Sequence, residues 1–359
     1  MSANPLITLT DVEALAAERL DPHWHAYFAG GAGDERTLRE NVAAFGRASL
    51  RQRVLCGIDS VTTATTVLGH ELRLPVIVAP VACQRMAHPG GEEAMARAAA
   101  TCGAGMCLST FATASAESVA AAAPHGVRFY QVYVFRDRGI TAELIARALD
   151  AGFSSLFLTV DLPVPGSRDR ERRMGWTLPE ADLPAVQHAR QRGVVGEGLT
   201  MIDPAIDWTY LEKLCSSVPV PVVVKGVLET DDAERAVDHG AAAVVVSNHG
   251  GRQLDGVPAT IEVLPTIAAA LEGRAEVLLD GGVRRGVDVA VALALGASAV
   301  LAGRAPLWGL AVDGENGART VLELLHEELS TALHLSGCRS ARDLGPVHVR
   351  APSKAPGSL

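Results

Sequence analysis

His249 and Arg252 stand three residues apart in the run Ser247-Asn248-His249-Gly250-Gly251-Arg252-Gln253-Leu254-Asp255, directly after the small apolar residues 241–246. An imidazole can take a proton near neutral pH, a guanidinium stays charged, and the two glycines between them let a ligand approach the backbone closely. That combination suits proton abstraction from an anionic substrate. A short Val/Ala run reads as a strand buried on both faces, so the pair is launched from a rigid edge. Taken alone, a His-Gly step after a core strand is equally a polar turn, and the rest of the chain has to decide.

The elements that must position this pair recur along the chain. Short apolar runs bounded by Gly, Pro or charge occupy residues 74–79, 105–108, 129–134, 156–160, 221–224, 243–246, 276–279 and 299–302. Between most of them lie Ala-rich segments of helical period, at 92–102, 115–123, 141–151, 230–239, 260–271 and 287–295. Several start at a capping-type residue (Ser115, Thr141) and end at glycine (Gly103, Gly152, Gly240, Gly273, Gly296). Eight strand-helix units whose strands are apolar throughout predict an α/β fold with a closed parallel sheet, a (β/α)8 TIM barrel. An open doubly wound sheet would call for G-x-G-x-x-G after an early strand, and the chain has none. The whole of 1–350 is expected to be one domain. Residues 1–73 form an N-terminal cap with a helix at 10–20, and 163–208 is a lid-like insertion after strand 4. A closing helix is expected at 321–335 and a disordered tail at 351–359.

In such a barrel the C-terminal strand ends build the site, so they can be taken as one group. They are Pro80, Val81 and Ala82, then Ser109, Gln131 and Tyr133, Thr159 and Asp161, Lys225, Ser247 with His249 and Arg252, Asp280 to Arg284, and Gly303-Arg304. Gly281, Gly282, Arg284, Gly303 and Arg304 read together as a phosphate cradle of backbone N–H groups and cations. Lys225 could form a Schiff base, hold a phosphate or offset a negative charge on a cofactor, or it could simply reach solvent. Asp161, if it faces His249, would orient the ring and favour its imidazolium form; otherwise it caps its strand.

The remaining composition narrows the function. A formal net charge of −9 with no long Lys/Arg block argues against nucleic acid. Cys56, Cys83, Cys102, Cys107, Cys215 and Cys338 lack C-x-x-C and zinc spacings, so no metal site is expected and the thiols are expected reduced. No signal-like or membrane-spanning apolar stretch occurs, which makes a cytoplasmic protein the expectation.

With these residues in place the chain resembles the FMN-dependent α-hydroxy acid oxidases and dehydrogenases, which include glycolate oxidase, lactate oxidase and mandelate dehydrogenase. The resemblance runs from Tyr27-Phe28-Ala29-Gly30-Gly31-Ala32 through Ala79-Pro80, Leu158-Thr159-Val160-Asp161, Val224-Lys225-Gly226 and Leu279-Asp280-Gly281-Gly282 to Leu335-Ser336-Gly337-Cys338, and includes the nine residues from Ser247. It implies oxidation of an (S)-2-hydroxy acid to the 2-oxo acid, with FMN as cofactor and oxygen (giving hydrogen peroxide) or another compound as acceptor. His249 would be the base, paired with Asp161. Arg252 and Arg168 would hold the substrate carboxylate, and Tyr27 and Tyr133 its oxygens. Lys225 would lie by the flavin pyrimidine edge, with Ser109, Gln131, Thr159, Ser247 and the backbone of Pro80, Val81 and Ala82 around the ring. Asp280 would bind the ribityl chain, and Arg284, Gly303 and Arg304 the phosphate. The same resemblance implies a homotetramer or homo-octamer. No haem-binding segment is recognisable ahead of the cap, so no fused electron-transfer domain is expected.

Three positions depart from that family. Phe111 stands where short-chain relatives commonly carry Trp, the insertion between Arg168 and Trp208 is shorter than usual, and Ala305 replaces a usual Pro. The first two point to a more open pocket and a larger, aromatic acid such as mandelate or a hydroxymandelate. The competing readings are another FMN barrel enzyme such as a type 2 isopentenyl-diphosphate isomerase, a Schiff-base aldolase using Lys225, and a barrel that only binds FMN.

Overall fold

A computed structural model of the chain describes residues 7–194, 196 and 198–350, so the tail expected at 351–359 lies outside the described residues. Eight parallel strands close on themselves: β1 (Val76–Val78), β2 (Gly105–Leu108), β3 (Arg128–Val132), β4 (Leu156–Thr159), β5 (Val222–Val227), β6 (Ala243–Val246), β7 (Glu276–Asp280) and β8 (Ala299–Ala302). They pair in chain order, and β8 returns to β1 with Leu301 beside Ile77. This is the expected (β/α)8 barrel.

Both strand faces are buried, because one set of alternate residues meets the helices and the other fills the barrel. Ile77, Cys107, Phe129, Phe157, Val223, Val245, Leu278 and Leu301 form an interior layer, plugged from below by Val67 and Leu72 of the antiparallel hairpin Thr65–Val67 and His70–Leu72. Two residues further along each strand, on the same face, stand Ala79, Ser109, Gln131, Thr159, Lys225, Ser247, Asp280 and Gly303. The polar mouth is therefore the next tier of the same period-2 pattern that makes the apolar plug.

The cap holds α1 (Leu9–Arg19), α2 (Pro22–Ala29) and α3 (Arg36–Ala43). Only the first was expected; α2 is short, with Asp21 accepting from the His23 N–H and Pro22 at its first position. The barrel helices before the insertion are α4 (Gly91–Cys102), α5 (Ala116–Ala122) and α6 (Arg138–Asp150). Helix α6 starts a turn before Thr141, because Asp137 caps it by accepting from the Gly139 N–H, while Thr141 accepts from the Phe135 N–H. The insertion carries α7 (Asp169–Arg173) and α8 (Pro184–Gln191). After it come α9 (Trp208–Ser217), α10 (Thr230–Asp238), α11 (Thr260–Ala270), α12 (Gly286–Ala294) and α13 (Arg304–Ser336). Helix α13 breaks at Asp313 and Gly314 and doubles back, a Cβ on Gly309 meeting the Gly317 carbonyl oxygen at 2.3 Å. The closing helix thus starts well before residue 321, and the stretch from Arg304 belongs to the last barrel unit. Among the described residues no helix is long and apolar enough to cross a membrane.

Candidate active site

The barrel mouth opens into a cavity of about 610 Å³ roofed by the cap and the insertion. Every residue expected at the site lines it except Asp161 and Ser247, which sit behind the lining. Both act through a residue that does line it.

Ser247 ties one side of the polar tier together. Its hydroxyl accepts from Lys225 Nζ at 3.0 Å and from the His249 N–H at 3.1 Å, and donates to Asp280 Oδ2 at 3.0 Å. Lys225 Nζ also lies 2.8 Å from Asp280 Oδ2. Burial alone would discharge this lysine, but Asp280 and Asp161 outweigh it and raise its pKa. An ammonium engaged by Asp280 and Ser247 is not presented as the free amine that the aldolase reading needs. On the other side, Gln131 Oε1 accepts from the Thr110 N–H at 3.0 Å and from Ser109 Oγ at 3.3 Å. Those donors fix which end of the amide is oxygen, and Nε2 is then a buried donor with no protein partner among the described residues.

His249 sits on backbone that only special support makes available. Its φ is +57°, followed by Gly250 at +63° and Gly251 at +75°. Asn248 holds this turn by accepting from the Gly251 N–H, and its amide exchanges two hydrogen bonds, at 2.7 and 2.8 Å, with the amide of Asn41 on α3. A Cβ on Gly251 would stand 2.6 Å from the Leu38 backbone, so the cap presses directly on the turn. The ring is oriented by Asp161, whose Oδ1 is 2.8 Å from Nδ1. Burial lowers the His249 pKa, and the nearby Lys225 and Arg168 lower it further; Asp161 opposes them without prevailing. Asp161 thus pulls towards imidazolium as expected, but burial and the two cations outweigh it and the net shift favours the neutral ring. The resting ring is neutral, with a proton on Nδ1 and a lone pair on Nε2. Asp161 stays ionised: burial raises its pKa, but His249 and Lys225 bring it below the ordinary value.

Arg252 and Arg168 come together beside His249. Arg252 Nη1 donates to the Tyr27 and Gly30 carbonyls at 2.6 and 2.8 Å, and its guanidinium lies 4.9 Å from the Tyr27 ring centre. Arg168 reaches the Arg252 carbonyl at 3.4 Å and Gln253 Oε1 at 3.3 Å. Glu171, hidden at sequence level in the charged run Arg168-Asp169-Arg170-Glu171-Arg172-Arg173, touches both. Burial raises the phenol pKa values of Tyr27 and Tyr133, so both remain donors. The Phe111 ring lies 5.4 Å from that of Tyr133, and Trp176 of the insertion stacks on Tyr27 at 4.2 Å, nearly parallel. Leu162, Leu178 and Leu199 complete an apolar wall that sequence reasoning did not single out.

The cradle is present in part. Gly281 and Gly282 have φ of +103° and +85°, and Gly303 precedes the start of α13. Arg284 pairs through both terminal nitrogens with Glu13 of α1, each contact at 3.0 Å. The Arg304 guanidinium is committed to the carbonyls of Phe28, Gly30 and Gly250, and burial beside Arg252 and Arg284 lowers its pKa to about 9. Arg304 therefore ties cap to barrel, a job its place in a Gly-Arg step did not suggest.

A family model described as FMN-dependent dehydrogenase matches residues 16–351. An L-lactate oxidase of Nostoc sp. is 47% identical over 351 residues, covering 94% of this chain and 96% of that protein. A glycolate oxidase of Spinacia oleracea is 42% identical over 362 residues, covering 98% of each. Among solved structures, a mandelate oxidase variant with (S)-mandelic acid superposes with a TM-score of 0.88 at 41% identity, covering 98% of this chain and 99% of that one.

Proposed function

The chain belongs to the FMN-dependent dehydrogenase family, and from that premise we propose that it oxidises a mandelate-like (S)-2-hydroxy acid with His249 as the base. FMN is its cofactor and 2-hydroxy acid oxidation its reaction class. The site fits that cofactor: the orphaned Gln131 Nε2 is a donor for a ring carbonyl or nitrogen, and Lys225 keeps a proton to share beyond its two partners. Arg284, Gly282, Gly303 and the first turn of α13 would hold the phosphate, and Asp280 the ribityl chain.

The observation that carries the reading is the 2.8 Å contact between Asp161 and His249, which fixes the Nδ1–H tautomer and keeps Nε2 basic. Arg168 and Arg252 hold the substrate carboxylate, and the Tyr27 and Tyr133 hydroxyls donate to its oxygens, so the α-carbon is fixed before reaction. Bound FMN supplies the two-electron sink. As the 2-hydroxy acid becomes the 2-oxo acid it gives up two electrons and two protons, one of them to His249 Nε2. Transfer of both to oxygen yields hydrogen peroxide. Apolar walls from Phe111, Leu162, Trp176 and Leu199 support an aromatic side chain over glycolate.

Holoenzyme mixed without oxygen with lactate, glycolate and both mandelate enantiomers should bleach fastest with (S)-mandelate, and admitting air should restore the colour with one equivalent of peroxide. Faster bleaching by glycolate would remove the size argument, and colour that returns only with an added dye would remove oxygen as acceptor. His249→Gln is expected to keep FMN and lose bleaching. The family resemblance also carries the proposal of a homotetramer or homo-octamer, which light scattering tests.

A further inference from the structure

Arg168 and Arg252 present two permanent positive charges side by side, both nearly withdrawn from solvent, with side-chain exposures of 11% and 14%. Two buried like charges repel and need an anion that stays with them. Among the described residues, the only carboxylate in ion-pair range of either is Glu171, itself 8% exposed. Its Oε1 lies 3.0 Å from Arg252 Nη2 and its Oε2 3.7 Å from Arg168 Nη1. Asp161, the other anion at this end of the cavity, is taken up by His249.

We infer that Glu171 is a positioning residue of the carboxylate clamp: it bridges the two arginines and leaves the clamp one positive charge in excess, the complement of a single carboxylate. This rests on the reading of Arg168 and Arg252 as that clamp. The two arginines are held unequally. Arg252 has two short carbonyl contacts of its own, whereas the hydrogen bonds of Arg168 are long, at 3.3 and 3.4 Å. Glu171 hydrogen-bonds Arg252 and reaches Arg168 only at 3.7 Å, so Arg168, with no short contact of its own, is the half of the clamp free to shift when the Glu171 charge is lost. Glu171 sits in the short α7, and its backbone carbonyl accepts from the Trp176 N–H at 3.0 Å. The residue that sets the clamp's charge also anchors the turn after α7 that lays Trp176 on Tyr27.

Oxalate and oxamate test this, because they share a planar shape and differ by one negative charge. Each is titrated into FMN-loaded enzyme and followed by the change in flavin absorbance. Glu171→Gln gives the clamp a second uncompensated positive charge, so the oxalate-to-oxamate affinity ratio should rise by about tenfold or more. The KM for the hydroxy acid should rise more than kcat falls, and Glu171→Asp should restore the wild-type ratio. A ratio within about twofold of wild type in Glu171→Gln overturns the inference. Should the neutral variant not fold, Glu171→Asp decides alone. Its carboxylate, drawn back by one methylene, should weaken oxamate about fivefold, and unchanged affinity overturns the inference. Arg252→Lys separates the two levels. If it leaves both ligands bound as in wild type, the clamp reading fails; if it loses both while Glu171→Gln leaves the ratio unmoved, only the role of Glu171 fails.

Discussion

As the proposed base, His249 would have to be neutral before reaction and charged during it, and different neighbours serve the two requirements. Burial and the cations Lys225 and Arg168 press its pKa below 6.5, while Asp161 pulls the other way through the 2.8 Å hydrogen bond. Because the base form exists above the pKa, kcat/KM should rise with pH along an acid limb lying below 6.5 and level off above it. Replacing Asp161 by Asn removes the carboxylate that raises the His249 pKa, so the acid limb should move to still lower pH. The rate should fall at the same time, by about 10²–10⁴-fold, because nothing then stabilises the imidazolium that forms. A pH profile of kcat/KM for both proteins checks this; an acid limb that moves upward in Asp161→Asn would show that Asp161 does not act on this ring.

Elements reach the site by two routes, and one was far more legible than the other. The tier Ser109, Gln131, Thr159, Lys225, Ser247 and Asp280 follows from period 2 applied to runs that are unmistakably strands, so it could be read off the chain. Positions supplied by tertiary contact could not. Asn41 pairs with Asn248 across more than two hundred residues, Glu171 looks like part of a solvated charge run, and the Arg304 guanidinium turns to carbonyls of the cap. Nothing local announces these, because their partners are distant in sequence. Gly226 is a further case, on the irregular end of β5 where the register with β6 shifts. Its φ is +115°, and a Cβ there would stand 2.6 Å from Asp161 Cβ and Cγ. Gly226→Ala should displace the carboxylate from His249 and lower kcat/KM by about 10²-fold in protein that still carries FMN. Activity within about twofold of wild type would show that the β5 bulge does not set the position of Asp161.

At the scale of the whole molecule the site is where three separate pieces of chain are held together. The cap contributes Tyr27 and Asn41, the barrel its strand ends, and the insertion Arg168 and Trp176. The ties between them are mostly polar and point into the cavity: Arg304 to the carbonyls of Phe28 and Gly30, Arg284 to Glu13, Arg252 to Tyr27 and Glu171. Buried cations this close to one another, with Arg304 lowered to about 9, favour arrival of an anion. A cofactor phosphate in the cradle would relieve that repulsion in the folded state and has no counterpart in the unfolded chain. FMN binding should therefore stabilise the protein as a unit and not only the barrel mouth. At about 100 times its dissociation constant a ligand adds about 2.7 kcal/mol. Spread over the unfolding entropy of 359 residues, at about 2.1 cal/mol/K each, that raises Tm by about 4 °C. Enzyme stripped of FMN should melt about that much lower in a calorimetric scan, and titrated FMN should bring back a single transition that climbs with concentration. Two separate transitions, with only one moved by FMN, would mean that cap and insertion are not bound to the barrel through the site.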